Sequence, residues 1–184
     1  MSGLGVTPAR TALLVIDIQR DFAAADGAMA RGGADMTSIG PALAQATRLV
    51  EAARAAGVRC VFSHVVAPQG AVGREGTAGT EFVAPLPLPG ELVVAKPRYS
   101  VFPHTGLAQT LAAQGIDTLV LCGLTTECCI QATAWDAFER DFHVVIAADA
   151  CAAYAPDLHQ AALRSLELSG AVLAATADVA AAWK

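Results

Sequence analysis

Six short apolar runs recur along this chain, separated by stretches of helical spacing or by loop, and that order leaves few folds open. The first, Thr11-Ala-Leu-Leu-Val-Ile16, reads as a strand buried on both faces. Ser38 to Ala56 carries apolar residues at helical spacing and closes on Gly57, a C-terminal stop; Val58-Arg-Cys-Val-Phe62 follows as a second strand. Leu92-Val-Val-Ala95 is the third strand, ending at Lys96 and halted by Pro97, whose missing N–H cannot continue a central ladder. Beyond it come a helix over Gly106 to Gln114, a strand over Thr118 to Cys122, a helix over Glu127 to Arg140 and a strand over Val144 to Ala148. A helix over Asp157 to Ser169, the run Ala171-Val-Leu-Ala174 and a short terminal helix complete the series.

Strands that alternate with helices call for a parallel sheet, because each crossover lays a helix on a face of the sheet. The expected fold class is therefore α/β: a single-domain, Rossmann-like, six-stranded parallel sheet with helices on both faces, over residues 1–184. No internal repeat or linker divides it. With 54% hydrophobic and 16% charged residues there is ample material for one continuous core, and much of it is alanine, which favours helices that approach a sheet closely.

The formal net charge of -5 and the lack of any Lys/Arg-rich run leave no footprint for phosphate backbones, so nucleic acid is not expected as a partner and a small neutral or cationic molecule fits better. Met1 to Arg10 lacks a basic segment followed by an apolar signal core, and no apolar run reaches the roughly 18 residues of a membrane span. These features place the protein in the cytoplasm, away from membranes. Cys60, Cys122, Cys128, Cys129 and Cys151 are an odd set without a disulfide framework, which points to reduced thiols. The stretch from Ala67 to Gly90, rich in Gly and Pro, is long for a connection and is a candidate lid.

In open α/β sheets ligands bind beyond the carboxyl ends of the strands, where Asp17, Lys96 and the Gly123–Cys129 segment all fall. A carboxylate, an ammonium and a thiol at one edge are a base, a charge stabiliser and a nucleophile. Alone, each has a bland reading: a loop cap, a solvated lysine, an inert buried thiol. The four histidines, His64, His104, His143 and His159, are scattered and form no metal cluster, and the Cys128-Cys129 doublet lacks the C-x-x-C spacing of a zinc site. No metal and no cofactor are expected.

The segments Leu14-Val-Ile-Asp-Ile-Gln-Arg-Asp-Phe22, Lys96-Pro-Arg-Tyr-Ser-Val-Phe102 and Gly123-Leu-Thr-Thr-Glu-Cys-Cys-Ile-Gln-Ala-Thr-Ala-Trp-Asp-Ala137 together resemble the isochorismatase-like cysteine hydrolases. That family includes nicotinamidases, N-carbamoylsarcosine amidases, biuret hydrolases and ureidoacrylate amidohydrolases, and the resemblance runs over nearly the whole chain. It implies that Asp17, Lys96 and Cys129 are catalytic, Cys129 being selected over Cys128 because the nucleophile lies six residues after the glycine that opens the third motif. It also implies a cis peptide bond between Leu124 and Thr125, an oxyanion hole formed by the backbone N–H groups of Thr125 and Cys129, Phe22 and Tyr99 in the substrate pocket, and a homodimer or homotetramer. Cys129 would lie near a helix start, where the dipole and Lys96 favour a thiolate.

The implied activity is hydrolysis of the C–N bond of a small carboxamide or ureido compound through a thioester, releasing ammonia or an amine. Two neighbouring activities are weighed against it. Nicotinamidases carry an Asp-x-His pair and further histidines after the second strand, whereas Ser63-His-Val-Val66 stands here. Enzymes of the vinyl-ether (isochorismate) type typically lack the nucleophilic cysteine. The Glu75–Glu81 loop resembles the carbamoylsarcosine, biuret and ureido branch, with Ala78 where many relatives have Trp. A catalytically silent small-molecule-binding or interaction protein on the same scaffold, and thiol redox sensing through Cys128, are the readings from other classes. Asp21 and Asp149 rank below the three main residues, Asp149 as a cap after strand five.

Overall fold

The computed structural model describes residues 3–184. Alternation along the strands decides which side of the sheet each residue serves. In β1 (Thr11–Ile16), Ala12, Leu14 and Ile16 enter one core, while Leu13 and Val15 enter another on the opposite face. Both faces are thus apolar and both must be covered by helices. The first core is closed by α4 (Leu107–Ala113), α5 (Gln131–Phe138) and α6 (Pro156–Leu168), through Leu107, Leu111, Ile130, Ala134, Leu163 and Leu166. The second is closed by α3 (Ile39–Ala55) and α7 (Thr176–Ala182), through Ala46, Leu49, Val50, Ala53 and Val179. Helix α3 ends as its sequence implies: Gly57 adopts φ +70° and Val58 N–H bonds back to Ala53 O at 2.8 Å, closing a glycine-dependent C-terminal turn.

With β2 (Arg59–Val65), β3 (Leu92–Lys96), β4 (Thr118–Leu124), β5 (His143–Ala152) and β6 (Val172–Ala174), the sheet has the order β3-β2-β1-β4-β5-β6 and every pairing is parallel. The expected α/β class is met. Strand order reverses between β1 and β4, which opens a crevice at their carboxyl ends. There Gly123, paired with Ile16, has φ +117°, and a Cβ on it would stand 2.1 Å from Ile16 O, so only glycine lets β4 close on β1 at this point.

Several boundaries differ from the sequence reading. Strand β2 runs on through Ser63, His64 and Val65, because these residues pair with Val94, Ala95 and Lys96 of β3. Strand β5 continues past Ala148 to Ala152, with a register irregularity opposite Leu121–Gly123, so Asp149 lies inside it rather than after it. Asp149 is nonetheless a cap, accepting bonds from Thr176 N–H and Oγ1–H at 2.7 and 2.8 Å at the start of α7. The segment after β4 begins with a wide five-residue π turn, Thr126–Ile130, before α5. Two four-residue helices, α1 (Arg20–Ala23) and α2 (Ala28–Arg31), were not foreseen. Among the described residues, no helix is long and apolar enough to cross a membrane.

Candidate active site

Asp17 ends β1 fully buried and with φ +51°, a left-handed conformation that aspartate tolerates better than most side chains. Its backbone is held by its N–H to Ser63 O (3.0 Å) and by Gln19 N–H to its carbonyl (2.8 Å). Its carboxylate Oδ1 accepts from Ser63 Oγ at 2.8 Å, and Oδ2 accepts from Lys96 Nζ at 2.6 Å. Lys96 reaches across β2 from the end of β3, and its ammonium also donates to Arg98 O (2.9 Å) and Tyr99 O (2.8 Å). All three of its protons are engaged, so its position is fixed. Both side chains are wholly shielded from solvent, which makes this an ion pair that neither partner can leave cheaply.

The Cys129 thiol, buried at 6% exposure, lies within electrostatic reach of Asp17 and Lys96. Burial pushes its pKa well above the ordinary thiol value; the Asp17 charge adds to the rise and Lys96 opposes it. The Lys96 contribution is in the direction the sequence reading expects, and burial outweighs it. The turn that carries Cys129 is a π turn, and at rest the sulfur keeps its proton. Asp17, Lys96 and Cys129 are therefore brought together at one edge of the sheet, with the proton on sulfur and the Asp17 carboxylate nearby.

Above them lies a pocket of about 460 Å³, bordered by Cys129, Thr125, Phe22, Tyr99 and Tyr154 among others. The Leu124–Thr125 peptide bond is cis, as is Ala84–Pro85. Phe22 is half-buried, lines the pocket and packs with Ile39, Leu124 and Tyr154; Tyr154 donates to Phe22 O at 2.8 Å. Tyr99, 60% exposed, stands at the rim. Cys128 is half-buried and also borders the pocket. Its thiol is pushed up by burial and by Glu127. Cys60, Cys122 and Cys151 are buried in strands away from the pocket.

The wall is built by residues whose roles the sequence did not assign. Gln19 donates to Val65 O (3.0 Å) and Thr80 O (3.3 Å) while accepting Val65 N–H at 2.7 Å, tying β2 to the long loop. Asp21 is buried and accepts Ala28 N–H (3.1 Å) and Gly73 N–H (2.9 Å), holding α2 and the loop together. A Cβ on Gly79 would overlap the Asp21 carboxylate at 2.0 Å, so the loop passes directly over it. Both residues stand in the quoted Asp-x-Gln-x-Asp run, the one signal that marked them. Ser63 had only its place at a strand end, and Glu127 only its place in the third segment. Among the described residues, no three His, Cys, Asp or Glu side chains are grouped as metal donors.

Comparison with known proteins accords with this geometry. A family model described as the isochorismatase domain matches residues 11–178. The ureidoacrylate amidohydrolase RutB of Methylobacterium radiotolerans is 33% identical over 195 residues, which cover 89% of this chain and 76% of that protein. Among solved structures, a cysteine hydrolase from Pseudomonas syringae pv. phaseolicola superposes with a TM-score of 0.86 at 24% identity, covering 96% of this chain and 93% of the other, a likeness of fold. An N-carbamoylsarcosine amidase from Thermoplasma acidophilum gives a TM-score of 0.76 at 27% identity, covering 91% and 96%.

Proposed function

The chain belongs to the isochorismatase family, and on that premise we propose that it is a cysteine amidohydrolase cleaving the C–N bond of a small carboxamide or ureido compound. The observation that carries this reading is the placement of the Cys129 thiol, on the pocket wall, close to the Asp17 carboxylate that Lys96 clamps, at a pocket large enough for a small molecule. A protonated thiol beside a carboxylate is an inactive nucleophile with its base in place.

Catalysis begins when the Cys129 proton passes to Asp17 as sulfur attacks the carbonyl carbon. The carbonyl π electrons move to oxygen, and Lys96 limits the rise in negative charge around Asp17 and the sulfur. The oxyanion is received by the backbone N–H groups of Thr125 and Cys129, both at the pocket edge. As the C–N bond breaks, Asp17 returns the proton to nitrogen and ammonia or an amine leaves. The remaining thioester, or its carbamoyl counterpart, is hydrolysed by water, which regenerates the thiol. The same reading makes the protein a cytoplasmic enzyme, in keeping with five free cysteines, and a homodimer or homotetramer.

The test is ammonia and amine release from a panel of carboxamides, N-carbamoyl amino acids, biuret and ureidoacrylate, with and without a metal chelator. Turnover should fall roughly 10,000-fold or more in Cys129→Ala and stay within about 3-fold of wild type in Cys128→Ala. Full activity in Cys129→Ala would remove the nucleophile, and no turnover of any compound would move the binding-protein reading forward.

A further inference from the structure

Oε2 of Glu127 is a buried oxygen without a hydrogen-bond partner, and Glu127 lies in the wall of the active-site pocket. Two other buried orphans among the described residues, Thr133 Oγ1 and Trp183 Nε1, are neutral groups that do not border this pocket. An unpaired carboxylate oxygen is a far more expensive thing to bury than a hydroxyl or an indole N–H. The other carboxylates at this end of the sheet are occupied: Asp17 by Ser63 and Lys96, Asp21 by two backbone N–H groups, Asp149 by Thr176. Glu127 therefore holds acceptor capacity that the fold itself does not use.

Its placement suits a substrate contact. Glu127 precedes Cys129 by two residues on the same turn, and with Tyr99 and Cys128 it also borders a second cavity that runs outward along Gln131 and Trp135. Glu127, Cys129 and Tyr154 all border the same pocket, and burial first, then the Glu127 and Cys129 charges, push the Tyr154 phenol up. The other charged side chain lining the pocket, Arg98, is exposed. A carboxylate accepts hydrogen bonds and donates none, so the group it meets must carry N–H or O–H.

We propose that Glu127 sets the specificity of the reaction, its carboxylate accepting an N–H on the substrate atom bonded to the scissile carbonyl. The site then selects ureido compounds over analogues with oxygen or carbon at that atom. This inference rests on the amidohydrolase reading above. A site built around a hydrogen bond discriminates strongly against the analogue that cannot make it, because the buried partner is left unpaired.

The experiment compares 3-ureidopropionate with 3-(carbamoyloxy)propionate, which differ by N–H against O, in wild type and Glu127→Gln. Intrinsic reactivity cancels in the ratio of ratios. The wild-type preference in kcat/KM for the ureido compound should shrink by roughly 10- to 100-fold in Glu127→Gln, the worth of a hydrogen bond to a charged group. An unchanged ratio, or a wild type that turns over carboxamides of the panel above but not the ureido compound, overturns this inference alone. No turnover of anything by wild type overturns the amidohydrolase reading and this inference with it.

A second measurement needs no substrate. At one pH, the rate of Cys129 alkylation by iodoacetate relative to iodoacetamide, localised by tandem mass spectrometry, is independent of the thiolate fraction. Removing the Glu127 charge should raise that ratio about 3- to 10-fold by relieving repulsion of the anionic reagent. Equal ratios would place the carboxylate away from the sulfur and overturn the proposal.

Discussion

The floor and the wall of the pocket are built in different ways. On the floor, beneath Cys129, the strong donors and acceptors are already engaged: Lys96 makes three hydrogen bonds, and the Asp17 carboxylate joins Lys96 and Ser63. These residues stand at the ends of adjacent parallel strands, so the sheet positions them. The wall is loop, tied down at a few points by Gln19 and Asp21, together with the turn that carries Cys129, and it offers groups the fold leaves unused, such as the Glu127 carboxylate and an exposed Arg98. A saturated, rigid floor fixes what bond is attacked, whereas a wall with free acceptors decides which molecule brings that bond. The difference separates reaction from specificity in space.

The comparison breaks first at the ion pair. If the floor is held by charge pairing, Lys96→Met leaves the buried Asp17 carboxylate uncompensated and should cost about 3–5 kcal/mol in urea denaturation. The double variant Asp17→Asn/Lys96→Met, which buries neither charge, should recover much of that loss while remaining inactive. Additive losses in the double variant would show that the two side chains act on stability separately and that the floor is ordinary packing.

That division also explains what the sequence revealed. Asp17 and Lys96 each end an apolar run that could only be a strand, and Cys129 follows another by a few residues, so topology brings the three to one edge. Ser63 was lost because the apolar run of β2 stops at Phe62 while the strand continues beneath the loop. The π turn was absorbed into a longer helix, since helical spacing does not distinguish a wide first turn. Helices α1 and α2 have too few residues to show a period. Apart from Ala28, the side-chain partners of Gln19 and Asp21 lie between 46 and 61 residues away along the chain, and local pattern carries no record of such contacts.

The wall itself is tested through Asp21. In Asp21→Ala the N–H groups of Ala28 and Gly73 lose their acceptor, which should cost about 1–3 kcal/mol and loosen the loop over the pocket. If wall and floor are independent, KM should rise about 10-fold while iodoacetamide labels Cys129 at a rate within about 2-fold of wild type. A fall in kcat as large as the rise in KM would mean that the loop also shapes the floor, and the separation would have to be abandoned.

The smallest effect concerns how the thiols are held neutral. Cys151 pairs with Gly123 across β5 and β4, and its Sγ lies 3.8 Å from Leu121 O. Burial pushes its pKa up to about 12 from an ordinary value of 9.0. Because the folded value is the higher one, the stability this thiol contributes is complete below pH 9 and is lost as pH climbs towards 12. At pH 10 the loss amounts to about 1.4 kcal/mol, the equivalent of one pH unit. Urea denaturation of wild type and Cys151→Val, repeated from pH 8 to pH 10, should therefore converge or cross by that amount, because valine has no proton to lose. Parallel curves would mean that burial beside this sheet does not hold a thiol neutral. The protonated resting state of Cys129, which depends on the same burial with Asp17 added, would then need another cause.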